Sequence, residues 1–192
     1  MTGAQSAVAS LEQRLQELLD REEIRQVMYS YARGVDRCDP GLIADAYHED
    51  AWDDHGNFRG GRDLVVDTIV GRGAAARASM HHLGNVLIEL VGDVAHVETY
   101  FMACQELDLD GRVHTRMRAG RYLDRFERRD GRWRIAHRTV VDDWSRLDEV
   151  VATAPSVTDE CRHCTRDRTD PSYGLSDFSR VRAEEGNVYD AR

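Results

Sequence analysis

Lysine is absent from the 192 residues, so all 26 basic side chains are arginines. That excludes Schiff-base enzymes, pyridoxal phosphate catalysis and phosphate-loop nucleotide hydrolysis, each of which needs a lysine amine. Long apolar runs are missing as well. The longest, Tyr100 to Cys104, falls far short of the roughly 18 residues of a membrane span, so no membrane partner is expected. Met1 to Ser10 contains no basic segment followed by an apolar one, and no secretory signal is expected. The four cysteines (Cys38, Cys104, Cys161, Cys164) are irregularly spaced in a chain large enough to bury a core without staples. A reduced, cytoplasmic protein is the expectation. Positive charge is in the minority, with 26 basic against 35 acidic residues and a net charge of −9, which argues against a general nucleic-acid binder. No Gly-x-Gly-x-x-Gly opens a helix after a strand, so no dinucleotide cofactor is expected.

What is present divides by period. The first forty residues read as helix: Leu11, Leu15, Leu18 and Leu19 recur at helical spacing, and Ile24, Val27, Met28, Tyr31 and Val35 form a second stripe. Between them Asp20-Arg21-Glu22-Glu23 has the pattern of a capping box that restarts the helix. Asp39-Pro40 supplies an N-cap and first-turn proline for a short helix over Gly41 to Tyr47. A short strand is predicted over Ala51 to Phe58, and a helix over Arg62 to Val70 ended by Gly71 and Gly73. Leu83 to Val91 and Val94 to Glu106 are strand-like runs joined at Gly92-Asp93. Val113 to Arg128 and Arg132 to Trp144 pair around Asp130-Gly131. Helices followed by long antiparallel strands make an α+β fold in one domain over residues 1–150. Residues 151–192 are polar and aperiodic, and read as an extended or partly disordered arm.

Three segments carry a resemblance: Tyr31-Ala-Arg-Gly-Val-Asp36-Arg-Cys-Asp39 at a helix end, Met80-His81-His82-Leu-Gly-Asn85 before a strand, and Gly120 to Arg138 across a hairpin containing Trp133. Over roughly residues 10–148 the chain resembles the SnoaL-like branch of the nuclear-transport-factor-2-like superfamily. The resemblance implies a cone-shaped, curved antiparallel sheet wrapped around N-terminal helices, with a deep pocket at its open end. It also implies kinship with scytalone dehydratase, bile acid 7α-dehydratase and hexachlorocyclohexane dehydrochlorinase. In those relatives a helix-end aspartate orients a histidine that acts as general base, and Asp36 and His81 stand at those positions. Tyr31 and Arg138 match further site positions, while His55 falls where scytalone dehydratase has a pocket tyrosine. Asn85 is placed in the substrate pocket.

The chemistry agrees with the residue types. A β-elimination needs a base for a C–H proton and an acid for the leaving group, and histidine titrates near working pH. The expectation is therefore a cofactor-independent lyase of the dehydratase type, acting on a small, mostly apolar hydroxylated ring compound. An isomerase or polyketide cyclase would use the same base, and a non-catalytic scaffold or ligand-binding module remains the alternative. A homo-oligomer, dimer or trimer, is expected, with Arg116, Arg118 and Arg121 on a wet interface and the arm lying on a neighbour or across the chain's own pocket mouth. His48 to His55, rich in carboxylates, and Cys161-Arg-His163-Cys164 are weak metal patterns; a solvated acidic edge and half a zinc site explain them, and no metal is expected.

Overall fold

The computed structural model describes residues 2–151 and 164–177, with side chains over 10–151 and 164–174. Cys161 and His163 lie outside the described residues. Helix α1 runs unbroken from Thr2 to Arg37, so the Asp20 pattern does not restart it. Asp20 instead is buried and accepts hydrogen bonds from Trp133 Nε1 (3.1 Å) and Arg128 Nη1 (2.9 Å), while Glu23 accepts the Trp133 amide (3.0 Å). The same Asp-x-x-Glu spacing that would cap a helix thus ties its middle to a strand hairpin. The stripe from Ile24 to Val35 faces the core. Leu11, Leu15, Leu18 and Leu19 face away from it and are more than half exposed.

Asp39 caps the second helix, α2 (Pro40–Asp45), accepting from the amides of Gly41 (3.0 Å) and Leu42 (3.3 Å) as the Asp-Pro pair predicted. Strand β1 (Tyr47–Asp54) starts earlier than expected, and Gly60-Gly61 belongs to a short strand, β2 (Arg59–Gly61). Helix α3 (Arg62–Ala74) continues through Gly71 and Gly73. Gly73 is buried there, where an added Cβ would stand 2.8 Å from Cys38 Sγ.

Four long strands follow: β3 (Ala76–Val91), β4 (Val94–Leu109), β5 (Arg112–Arg129) and β6 (Arg132–Glu149). Asp110-Gly111 and Asp130-Gly131 have positive φ at both residues, the two-residue turn whose twist suits a hairpin. The sheet is curved and unclosed, in the order β2-β1-β6-β5-β4-β3, with β1 parallel to β6 and the other pairs antiparallel. Curvature comes with bulges. One extra residue sits in β3 between Leu83 and Val86, and another in β6 at Ala136, where Phe126 faces Ile135 but Arg125 faces His137. Where β5 crowds β6, Gly120 is required, because a Cβ there would lie 2.1 Å from the Val141 carbonyl oxygen. Among the described residues, no helix is long and apolar enough to cross a membrane.

Candidate active site

The concave face of the sheet and the inner sides of α1 and α3 enclose a cavity. Tyr31, His55 and His81 line it together with the apolar wall of Val35, Phe58, Ile69, Phe101 and Tyr122. His81 reaches it because a bulge near Arg77, where Ala76 faces Leu107 but Ala78 faces Glu106, resets the alternation of β3. Ser79, His81 and Leu83 then point inward, and Met80 and His82 are exposed. Of the two neighbouring histidines, His81 is the one that faces the cavity.

Asp36, one residue from the end of α1, receives three hydrogen bonds from β3. His81 Nδ1–H donates to Oδ1 (2.7 Å), Ser79 Oγ–H donates to the same oxygen (2.9 Å), and the His81 amide donates to Oδ2 (2.8 Å). Burial alone would push this carboxyl up, but the bonds and the imidazole hold it below its ordinary value. A carboxylate only accepts, so the proton of a neutral His81 sits on Nδ1 and the Nε2 lone pair is left free. A buried acid fixing the tautomer of a cavity-lining imidazole is the arrangement of a general base.

A second imidazole has a similar holder. His55 Nδ1 lies 3.1 Å from Asp53 Oδ1, and its ring stacks on Phe58 at 4.7 Å between centroids. Asp53 is fully buried and also accepts from the Tyr47 hydroxyl (2.7 Å). Asp53 belongs to the His48–His55 segment expected as a solvated acidic edge, and its burial corrects that reading at this residue. The signal was available, since residues two apart in an extended segment share a face. Tyr31 is buried edge-on to Tyr47 and Tyr122 (5.8 and 5.9 Å). Burial raises its pKa to about 12, against the opposing pull of Arg138, so its phenol stays protonated and has a proton to donate.

Arg138 and Asn85 depart from expectation. The Ala136 bulge does turn Arg138 inward, but it is fully buried behind the tyrosines rather than on the cavity wall. Its Nε and Nη2 donate to the two oxygens of Asp124 (both 2.7 Å), Nη1 donates to the Tyr47 hydroxyl (3.1 Å), and the guanidinium lies over Tyr31 (4.4 Å) and Tyr122 (4.2 Å). Burial would depress this guanidinium, yet Asp124 and its other neighbours hold its pKa well above the ordinary value. Asn85 is exposed, because the bulge after Leu83 swings it out of the inner face, and it does not line the cavity.

The arm also reaches the site. Arg166 lines the cavity and donates to the backbone carbonyls of Asp36 (3.1 Å), Val35 (3.1 Å), Ala76 (3.2 Å) and Gly73, covering carbonyls left open at the end of α1. The arm is pinned further by Tyr173 to Asp39 (2.8 Å) and Asp170 to Arg37 (3.3 Å). Among the described residues, no group of three His, Cys, Asp or Glu side chains is placed to hold a metal ion.

Comparison with known proteins places the fold. A solved structure from Novosphingobium aromaticivorans, provisionally described as a scytalone dehydratase, shares 25% identity. It aligns over 74% of this chain and 95% of its own, with a TM-score of 0.62. Hexachlorocyclohexane dehydrochlorinase LinA-type3 from Novosphingobium barchaimii is 20% identical over 74% of this chain and 99% of its own, with a TM-score of 0.66. A third, described as an NTF2-like protein with a cystatin-like fold from Novosphingobium aromaticivorans, is 23% identical over 76% and 92%, with a TM-score of 0.56. No curated protein sequence matches the chain. Residues 16–139 match the SnoaL-like domain, a span that holds α1 from Gln16 to its end and every residue of both histidine–aspartate pairs. The chain belongs to the SnoaL-like domain family.

Proposed function

We propose that the chain is a cofactor-independent lyase of the dehydratase type, acting on a small, mostly apolar hydroxylated ring compound. The observation that carries this reading is His81, held by Asp36 at 2.7 Å through Nδ1 and lining the cavity beside the apolar patch of Val35, Phe58, Ile69, Phe101 and Tyr122. Nε2 takes a proton from a carbon made acidic by a neighbouring carbonyl or ring. Asp36 stabilises the imidazolium that forms. His55, held by Asp53, and the Tyr31 phenol stand on the same cavity as donors for the leaving hydroxyl or the developing oxyanion. The fold is a scaffold shared with structures of dehydratase and dehydrochlorinase description, which supports the reaction class. The expectation of a homo-oligomer stands as part of the same proposal. The exposed leucines of α1 are the apolar face that a second copy would cover.

The test is a panel of cyclic β-hydroxy ketones and hydroxylated ring compounds incubated with protein that has been treated with chelator and desalted. Loss of one water from at least one of them, read by mass spectrometry and proton NMR, is the expected result. Compounds that bind but neither lose water nor exchange a carbon-bound proton would turn the reading toward a ligand-binding module.

A further inference from the structure

Along β5, Tyr122, Asp124 and Phe126 are buried and Leu123 and Arg125 exposed, so the even-numbered residues face inward. Arg116 and Arg118 share that parity and line the cavity. They do not share a face with Arg121, which stands on the opposite side of the strand bonded to Glu98 and Asp143. Arg72 from α3 and Arg166 from the arm complete a group of four guanidiniums on the cavity. Only Arg118 has a carboxylate partner among the described residues, Asp142 at 2.6 Å. Arg72 rests on the Phe58 ring (5.1 Å) and Arg166 on backbone carbonyls.

Arg116 is the least satisfied of them. Its Nη2 donates to the Gln105 side-chain oxygen, while its Nε is buried with no hydrogen-bond partner among the described residues. Partial burial, then the nearby guanidiniums of Arg118 and Arg72, disfavour its charge. A buried charged donor left without an acceptor is costly, and an oxyanion there would relieve both the unmet bond and the repulsion. The acceptor is absent from the chain's own described residues, and the space beside it is the cavity that holds His81.

Building on the lyase reading, we propose that the substrate carries a carboxylate, bound by Arg116 with help from Arg72 and Arg166, while its ring lies on the apolar wall toward His81. The arm then belongs to the substrate site, because Arg166 comes from it. The charge selects an acid over its neutral analogue before any chemistry occurs.

The test uses binding alone. Benzoate and trans-cinnamate are each compared with the matching amide by isothermal titration against the full chain. Carboxylates should bind at least about tenfold more tightly than amides, as a charge-assisted bond of ordinary strength implies. Arg116→Gln should reduce that preference to about threefold or less, Arg72→Gln should weaken it in part, and Arg121→Gln on the outer face should leave it intact. Arg72 is exposed, so its variant reports even if Arg116→Gln fails to fold. Equal affinity for acid and amide, an unchanged preference in both cavity variants, or no binding of either acid at millimolar concentration would overturn the proposal. Repeating the titration with His81→Ala separates the two claims. The preference for the acid should persist there whether or not the protein proves to be a lyase.

Discussion

Replacing His81 with alanine should lower kcat/KM for the eliminated substrate by about 10²–10⁴-fold, the usual worth of a positioned general base. Asp36→Asn should come close to that loss while leaving the fold intact. An asparagine has one acceptor oxygen where the carboxylate satisfies three donors from Ser79 and His81. Its amide NH2 can also donate to Nδ1, which would move the imidazole proton onto Nε2 and block the lone pair that the reaction needs. The double variant should lose little more than His81→Ala alone, because the two residues act as one unit. Tyr31→Phe should cost less than either, since it removes a donor and leaves the base in place. The wild-type rate should fall as the medium is made acid, because a protonated imidazole cannot accept a proton. Steady-state kinetics with circular dichroism on each variant would check all of these.

The second large effect concerns stability. Arg138→Gln should lower the unfolding free energy by about 3–5 kcal/mol, the range for breaking a buried ion pair by removing one partner. The loss strands Asp124, which is buried with no other cation bonded to it among the described residues, and removes the hydrogen bond that Nη1 gives Tyr47. It also takes the cation from between the Tyr31 and Tyr122 rings. Asp124→Asn should cost less, because the amide keeps one acceptor for the guanidinium. An Arg138→Met, Asp124→Leu pair should cost less than the two single losses added, since neither charge is then left alone. Urea denaturation of the variants measures these differences. An accompanying drop in activity should follow the chain Arg138–Tyr47–Asp53–His55, whose links measure 3.1, 2.7 and 3.1 Å.

Much of the framework could be read from local pattern. The core stripe from Ile24 to Val35, the Asp39 cap and the turns at Gly92-Asp93 and Asp130-Gly131 are each decided within a few residues. Asp36 and His81, 45 residues apart, came from the resemblance, and the structure places them in direct contact. The failures share a physical origin in bulges and cross-strand register. Trp133 and Ile135 point inward, so simple alternation puts Arg138 outside, and only the extra residue at Ala136 reverses it. The bulge after Leu83 likewise removes Asn85 from the pocket. Asp124 as the partner of Arg138 depends on the β5–β6 register, which no local motif encodes. Asp20 was ambiguous for another reason: one spacing serves both a helix cap and a link to Trp133. Arg116 and Arg118 were legible after all, because they share the parity of Tyr122 and Phe126 on one strand.

The most direct measurement of the central claim is deuterium wash-in at the substrate carbon. A compound found to be turned over is incubated in D2O with wild-type protein and with His81→Ala, and carbon-bound deuterium in recovered substrate and product is followed by NMR. If His81 removes the proton and exchanges it with solvent, wild-type protein incorporates deuterium at the carbon that loses its hydrogen, and the folded His81→Ala variant does not. Equal incorporation by the two proteins would contradict the account, and would assign the base to another residue of the cavity.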